Sequence, residues 1–314
     1  MKRRAAVFAL SVLLLAPAAL KAGTGGATLT VTTAAATFGP LDPSLPTAGA
    51  PVLLTALVSA GEAWSVSLLY TPGLSAPASL ARLRRAQAVT SGGALPLQVN
   101  GPGGSWQPLP PGTAVPVASG GATGGQALPL TLMLQAQPTF DLPAGDYAGT
   151  LTFLLNGAPV QPTVSLTAQV PPVAQLSPDP RPFTLTRPPD PARPSTIPFE
   201  PRLYRILSNV PWQLTATLKG PLQQPGSPLA LVPASFAWQP PSGPAQPLLP
   251  NQPLTVASGP MTGQAGQTVS LTFTYTVTGL VVAGDYQGEI AVELNPLAAS
   301  PPAAFKRKSH AQHP

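Results

Sequence analysis

Histidine occurs in this 314-residue chain only at His310 and His313, and cysteine does not occur at all. A Ser-His-Asp triad, a Cys-His pair or a histidine metal cage therefore lacks its parts upstream of residue 310. Paired carboxylates could still serve glycoside hydrolysis. The ten acidic residues are Asp42, Glu62, Asp141, Asp146, Asp179, Asp190, Glu200, Asp285, Glu289 and Glu293. Of these, Asp146 and Asp285 sit in matching Gly-Asp-Tyr turns, where aspartate is favoured for bonding its own local backbone. That reading outweighs acid–base work. Calcium would need several convergent oxygens, and no Asp/Asn-rich loop is present; no phosphate-cradling Gly-rich loop is present either. No catalytic residue, metal ligand or cofactor site is assigned, and the chain is read as a non-enzyme.

The matching turns belong to a larger pattern. Val117-Ala118-Ser119-Gly120 recurs as Val256-Ala257-Ser258-Gly259, and Thr123-Gly124 as Thr262-Gly263. Ala144-Gly145-Asp146-Tyr147-x-Gly149 recurs as Ala283-Gly284-Asp285-Tyr286-x-Gly288, and Leu155-Asn156 as Leu294-Asn295, each pair 139 positions apart. The chain holds one module twice. Upstream the offset drifts, and Trp64 and Trp106 are matched there to Trp212 and Trp238.

Period-two alternation gives the module its structure. Val269, Leu271, Phe273, Tyr275 and Val277 alternate with threonine and serine, and Leu128, Leu130, Leu132 and Leu134 stand in register with them in the first copy. Tyr147, Leu151, Phe153 and Leu155 match Tyr286, Ile290, Val292 and Leu294 on the strands after the Gly-Asp-Tyr turns. Further strands are expected at 27–33, 51–58, 63–70, 163–170, 183–187, 203–207, 211–218 and 253–257, with Phe183-Thr184-Leu185-Thr186 as the opening strand of the second copy, matching Thr28-Leu29-Thr30-Val31. Short half-buried strands with Gly/Pro punctuation imply an all-β chain of two tandem immunoglobulin-like antiparallel β-sandwiches. Tyr147 and Tyr286, two residues after Gly145 and Gly284, fit the tyrosine corner of such folds, against a ligand-stacking alternative. Trp64 and Trp212 lie in alternating strands and are expected in the core. Trp106 and Trp238, both in Trp-Gln-Pro contexts, are the candidate ligand-stacking residues, against a loop-covering role. A helix is expected at Pro77–Val89, carrying Arg82, Arg84 and Arg85 and absent from the second copy.

The ends bound location. Lys2-Arg3-Arg4, an apolar run to Ala16 and small residues to Ala22 read as a secretory signal peptide, too short to span a bilayer. Removing residues 1–22 leaves 12 basic against 10 acidic residues, and Lys306-Arg307-Lys308 supplies three of the basics. A near-neutral folded part excludes a nucleic-acid protein. The expected layout is a signal peptide over 1–22, a sandwich over 23–174, a second over 175–296 that opens with a proline-rich segment, and a disordered basic tail over 297–314. Pro171 to Pro201 holds eleven prolines, which stiffen the connection.

Phe38-Gly39, Trp64, Trp212 and the two Ala-Gly-Asp-Tyr-x-Gly strands resemble exported bacterial surface modules of the WxL-like or fimbrial and spore-coat-like kind. Trp212-Gln213-Leu214 matches the W-x-L triplet, whereas Trp64-Ser65-Val66 departs from it. The resemblance implies an exported envelope or cell-surface protein, periplasmic or exterior, with other envelope proteins or a surface glycan as partner. The leading expectation is a non-enzymatic structural or interaction protein. One alternative is a pilus-like subunit or assembly partner acting by β-strand addition, because the first copy has a strand at 163–170 that the second lacks, leaving an edge unpaired. A second alternative is a carbohydrate-binding module. Intact-mass measurement of the exported protein is expected to place its first residue at Gly23; a mass retaining residues 1–22 would remove the signal-peptide assignment.

Overall fold

The computed structural model describes residues 26–45, 49–73, 94–177, 183–185, 195–226, 230, 236–277 and 285–297. The signal segment, the Pro77–Val89 helix candidate, Gly284 and the tail histidines lie outside these residues. The described chain is strand and turn, without helix.

In the first copy the strands are β1 (Ala27–Val31), β2 (Ala35–Pro40), β3 (Val52–Ala60), β4 (Trp64–Pro72), β5 (Leu97–Asn100) and β6 (Trp106–Leu109). They continue with β7 (Ala114–Gly120), β8 (Leu128–Ala136), β9 (Gly145–Leu155), β10 (Ala158–Pro159) and β11 (Val164–Val170). One sheet has the order β1-β3-β8-β5-β6, the other β2-β11-β9-β4-β7, with β10 also on β9. Leu130, Leu132 and Leu134 point into a shared core with Leu151, Phe153 and Leu155, and with Val164, Leu166, Ala168 and Val170. Their neighbours face outward, as period two requires. One pair departs from the purely antiparallel expectation: β2 runs parallel to β11, with Ala35 opposite Ser165 and Thr37 opposite Thr167. The last strand returns beside β9 and fills the slot between β9 and β2, and that return fixes its direction.

The second copy has β12 (Ala174–Ser177), β13 (Phe183–Leu185), β14 (Ser195–Pro198), β15 (Arg202–Ser208), β16 (Trp212–Leu218) and β17 (Phe236–Gln239). It ends with β18 (Gln246–Pro247), β19 (Leu254–Gly259), β20 (Gln267–Val277), β21 (Tyr286–Gly288) and β22 (Ile290–Pro296). Its sheets run β12-β15-β20-β17-β18 with β14 on β20, β19-β16-β22, and β13-β21. The copy opens at β12, which pairs with β15 as β1 pairs with β3; Phe183–Leu185, expected as the opening strand, pairs with β21 instead.

The repeated residues have structural duties. A β-carbon on Gly120 would lie 2.7 Å from Trp64 Cζ2, and one on Gly259 2.7 Å from Trp212 Cζ2, so each indole lies flat against a glycine that leaves room for it. Among the described residues both indole N–H groups, like that of Trp238, are buried without an acceptor. The Thr-Gly turns close the strand ends. Thr123 Oγ1 accepts from the Ala60 N–H at 3.1 Å, and its own N–H donates to the Ala60 carbonyl at 2.8 Å. Thr262 does the same with Ser208, at 2.8 and 3.0 Å.

Asn209, 1% exposed, joins the copies. Its Oδ1 accepts from Val173 N–H at 2.7 Å, its Nδ2 donates to the Pro171 carbonyl at 2.9 Å, and its carbonyl accepts from Ala144 N–H at 3.3 Å. Asp141 Oδ1 accepts from Gln264 N–H at 2.9 Å alongside. In the first core, burial pushes the Tyr70 hydroxyl pKa above 10.0, opposed in part by the bond it accepts from Leu95 N–H.

Trp212 is fully buried, whereas Trp64 is half-buried and less tightly confined. Gly259→Ala is therefore expected to cost about 1–3 kcal/mol in urea unfolding, as overpacking does, and Gly120→Ala less. Equal losses at the two sites would contradict this reading of the stack.

Candidate strand-acceptor edge

The residues singled out in the sequence do not converge. Tyr147 donates its hydroxyl to the Pro143 carbonyl at 2.7 Å, the bond of a tyrosine corner. Tyr286 occupies the matching place and is buried. Gly145 opens β9, and Asp146 and Asp285 are exposed. Trp64 and Trp212 begin matching strands. Trp106 and Trp238 are not counterparts. Leu97 faces Ala136 and Phe236 faces Tyr275, so Trp238 occupies the place of Val99, in the core, at 7% exposure. Trp106 stands on the outer face of β6, 39% exposed. The drifting offset hid the fact that the two tryptophans lie on different strands. Among the described residues no group of three His, Cys, Asp or Glu could hold a metal ion.

The copies differ at the outer edge of the closing strand. In the first copy, Asn156 and Gly157 take φ of 50° and 83° and turn β9 back into β10, where Ala158 faces Leu155. Asn-Gly suits this turn because both central residues need positive φ. Val160 N–H then donates to the Phe153 carbonyl at 2.8 Å, and β11 pairs with β9 from Leu151 to Gly145. At the same offset the second copy has Asn295-Pro296. Proline is held near φ −65° and cannot make that turn. The chain runs straight on instead: Pro296 faces Trp212, and Leu297 N–H donates to the Pro211 carbonyl at 2.8 Å.

The slot of β11 is then only partly filled. β13 supplies Phe183, Thr184 and Leu185 opposite Gly288, Gln287 and Tyr286, the places that Leu166, Thr167 and Ala168 take opposite Gly149, Ala148 and Tyr147. Beyond them β22 is the last strand of its sheet, paired with β16 alone among the described residues. Glu289 and Leu297 bond toward β16, so by alternation the N–H and C=O groups of Ile290, Val292 and Leu294 face the open side. The core is thinner there: Phe153 and Leu155 are buried, but their counterparts Val292 and Leu294 are only half-buried. This edge is a short ladder of backbone donors and acceptors above an incompletely covered apolar core. Its sequence signal was the exchange of Gly157 for Pro296 at the fixed spacing.

No known family profile matches the chain, and no curated protein sequence matches it. Solved structures do align. A chain of the CsuC–CsuE chaperone–tip adhesion subunit complex from the Csu pili of Acinetobacter baumannii aligns at 11% identity and TM-score 0.39, over 85% of this chain and 99% of that one. A chaperone–tip adhesin complex of CFA/I fimbriae aligns at 12% identity and TM-score 0.36, over 89% and 98%. The CupB6 tip adhesin of Pseudomonas aeruginosa aligns at 8% identity and TM-score 0.30, over 86% and 94%. All three scores lie below 0.5.

Hydrogen exchange is expected to separate the edges. Amides of Val292 and Leu294 should exchange on the order of a hundredfold faster than those of Phe153 and Leu155, because unpaired edges open locally at low cost. Equal protection would mean that the edge of β22 is already covered.

Proposed function

We propose that this protein is an exported, non-enzymatic, pilus-like subunit or assembly partner whose second copy accepts a β-strand from another envelope protein along β22. The observation that carries the reading is the pairing of β22 on one side only among the described residues, beside a first copy in which β10 and β11 cover the same edge. Strand addition uses such an edge: main-chain bonds supply affinity, and alternate side chains supply specificity. Along Ile290, Val292 and Leu294 the incoming strand would take the places that Val164, Val160 and Ala158 hold opposite Leu151, Phe153 and Leu155, and β11 gives the alternation that such a strand needs. β11 runs antiparallel to the closing strand and buries Val164, Leu166, Ala168 and Val170, with Ser165, Thr167 and Gln169 outward. This reading is more specific than a general structural role at the cell surface, and it gives the unpaired edge a use.

The test adds a peptide of sequence Thr163–Val170 to the full chain. Unfolding of the second copy is expected to shift upward by about 3–8 °C, as ~1 kcal/mol of linked binding does in a domain of this size. A peptide with the apolar and polar positions exchanged should have no effect, and Val292→Lys should abolish the shift. Equal shifts from both peptides would overturn the proposal. So would a chain that ignores both peptides and stays monomeric with or without residues 297–314.

A further inference from the structure

We propose a ligand site in the first copy: a cleft beside Trp64 that takes an uncharged, largely apolar small molecule. The cleft opens between β7 and β8 where the two sheets part, and encloses about 380 Å³. Val58, Trp64, Pro102, Val117, Leu128 and Leu130 supply its apolar walls, and among the described residues no ionisable side chain lines it. Small-molecule sites are of this size and character. With no charge at hand to neutralise a charged ligand, burying one there would be costly.

The duplication supplies an internal control. Residues that the fold requires should recur in the second copy. Trp64, Val117, Ala118 and Ser119 recur as Trp212, Val256, Ala257 and Ser258, so that wall of the cleft belongs to the shared module, and the β8 wall is where the copies part. Leu128, 42% exposed, becomes Gln267; Pro129 becomes Thr268; Met133, 38% exposed, becomes Thr272. Leu57 faces Pro129, and in its place Arg205 faces Thr268. The cross-strand register puts Ala245 where Trp106 stands. Leu203, in the place of Thr55, goes the other way. Trp212 is also fully buried where Trp64 is half-buried. Leu57, Met133 and Trp106 lie on the outer face of their sheet, whereas Leu128 stands at the cleft itself. The second copy thus builds the same sheets with a polar residue at that position and a covered tryptophan. An exposed apolar side chain that the fold does not need, set in an apolar cleft, marks a binding surface.

The rim also decides between a small molecule and an extended peptide. Among the described residues β5 pairs with β8 only over Met133–Ala136, leaving 128–132 open on that side. The bond from Gln137 N–H to the Pro96 carbonyl sets the parity, so Pro129 and Thr131 turn their backbones to the opening. Pro129 has no N–H to give, which leaves Thr131 alone with a donor–acceptor pair. A strand cannot zip along such an edge, but one pair beside an apolar cavity suits a compact ligand with a single polar group.

The site is tested with N-phenyl-1-naphthylamine, an uncharged aromatic amine whose fluorescence rises in apolar surroundings, titrated into the full chain. Saturable binding is expected. Leu128→Gln, which installs the residue of the second copy, should weaken it about tenfold, the loss of one apolar side-chain contact. Ser119→Phe, from an exposed position at the mouth, should block it, while Val292→Lys in the second copy leaves it unchanged. An absence of saturable binding would overturn the proposal, as would binding that Leu128→Gln and Ser119→Phe leave intact or that Val292→Lys removes. A peptide that protects the Thr131 amide from exchange without displacing the probe would overturn it in favour of strand docking.

Discussion

The outer edge of each closing strand must satisfy its backbone groups, and much of the difference between the two copies follows from how that is done. In the first copy Asn156-Gly157 reverses the chain, β10 and β11 return along β9, and Leu151, Phe153 and Leu155 are sealed. In the second, Pro296 denies the reversal, β13 fills three places, and no other described strand pairs along the rest of the edge. A paired main-chain group contributes little beyond what water offered it, but an unpaired one beside a core keeps water near the core or requires a partner. The exposure of Val292 and Leu294 is the apolar counterpart of the same open edge.

The parts common to the copies keep the sandwich standing. An indole on a glycine, a threonine closing a strand end and a tyrosine opening the closing strand recur at corresponding places. The parts that differ lie on surfaces: the closing edge in one copy, the cleft and its rim in the other. Strand acceptance and ligand binding would then fall on different copies, joined by the side chain and carbonyl of Asn209.

Much of this was legible in the sequence because a β-sheet writes its two faces as alternation. The strands around Leu130, Phe153, Leu214 and Phe273, the tyrosine corner at Tyr147 and the core place of Trp212 follow from local pattern. Pairing between remote segments does not. Nothing local says that β2 runs parallel to β11, or that Phe183–Leu185 leaves the opening position to stand in for part of a missing strand. Trp106 and Trp238 were matched because both precede Gln-Pro, yet register separates them by a strand and sends one outward and the other into the core. The exchange of Gly157 for Pro296 was readable at the fixed spacing, but its weight shows only once the strand that follows the turn is seen to cover the core.

Chains emerge and fold from their N-terminal end. The first copy possesses every strand of its own ladder by Val170, so its folding can finish before the remainder has arrived. Among the described residues the second copy reaches Pro296 with a place still open. A strand received there would be less a contact between finished surfaces than the last act of folding, performed by another molecule. Such a junction would come apart at the pace at which a core strand is torn out, and its lifetime would be governed by an unfolding barrier.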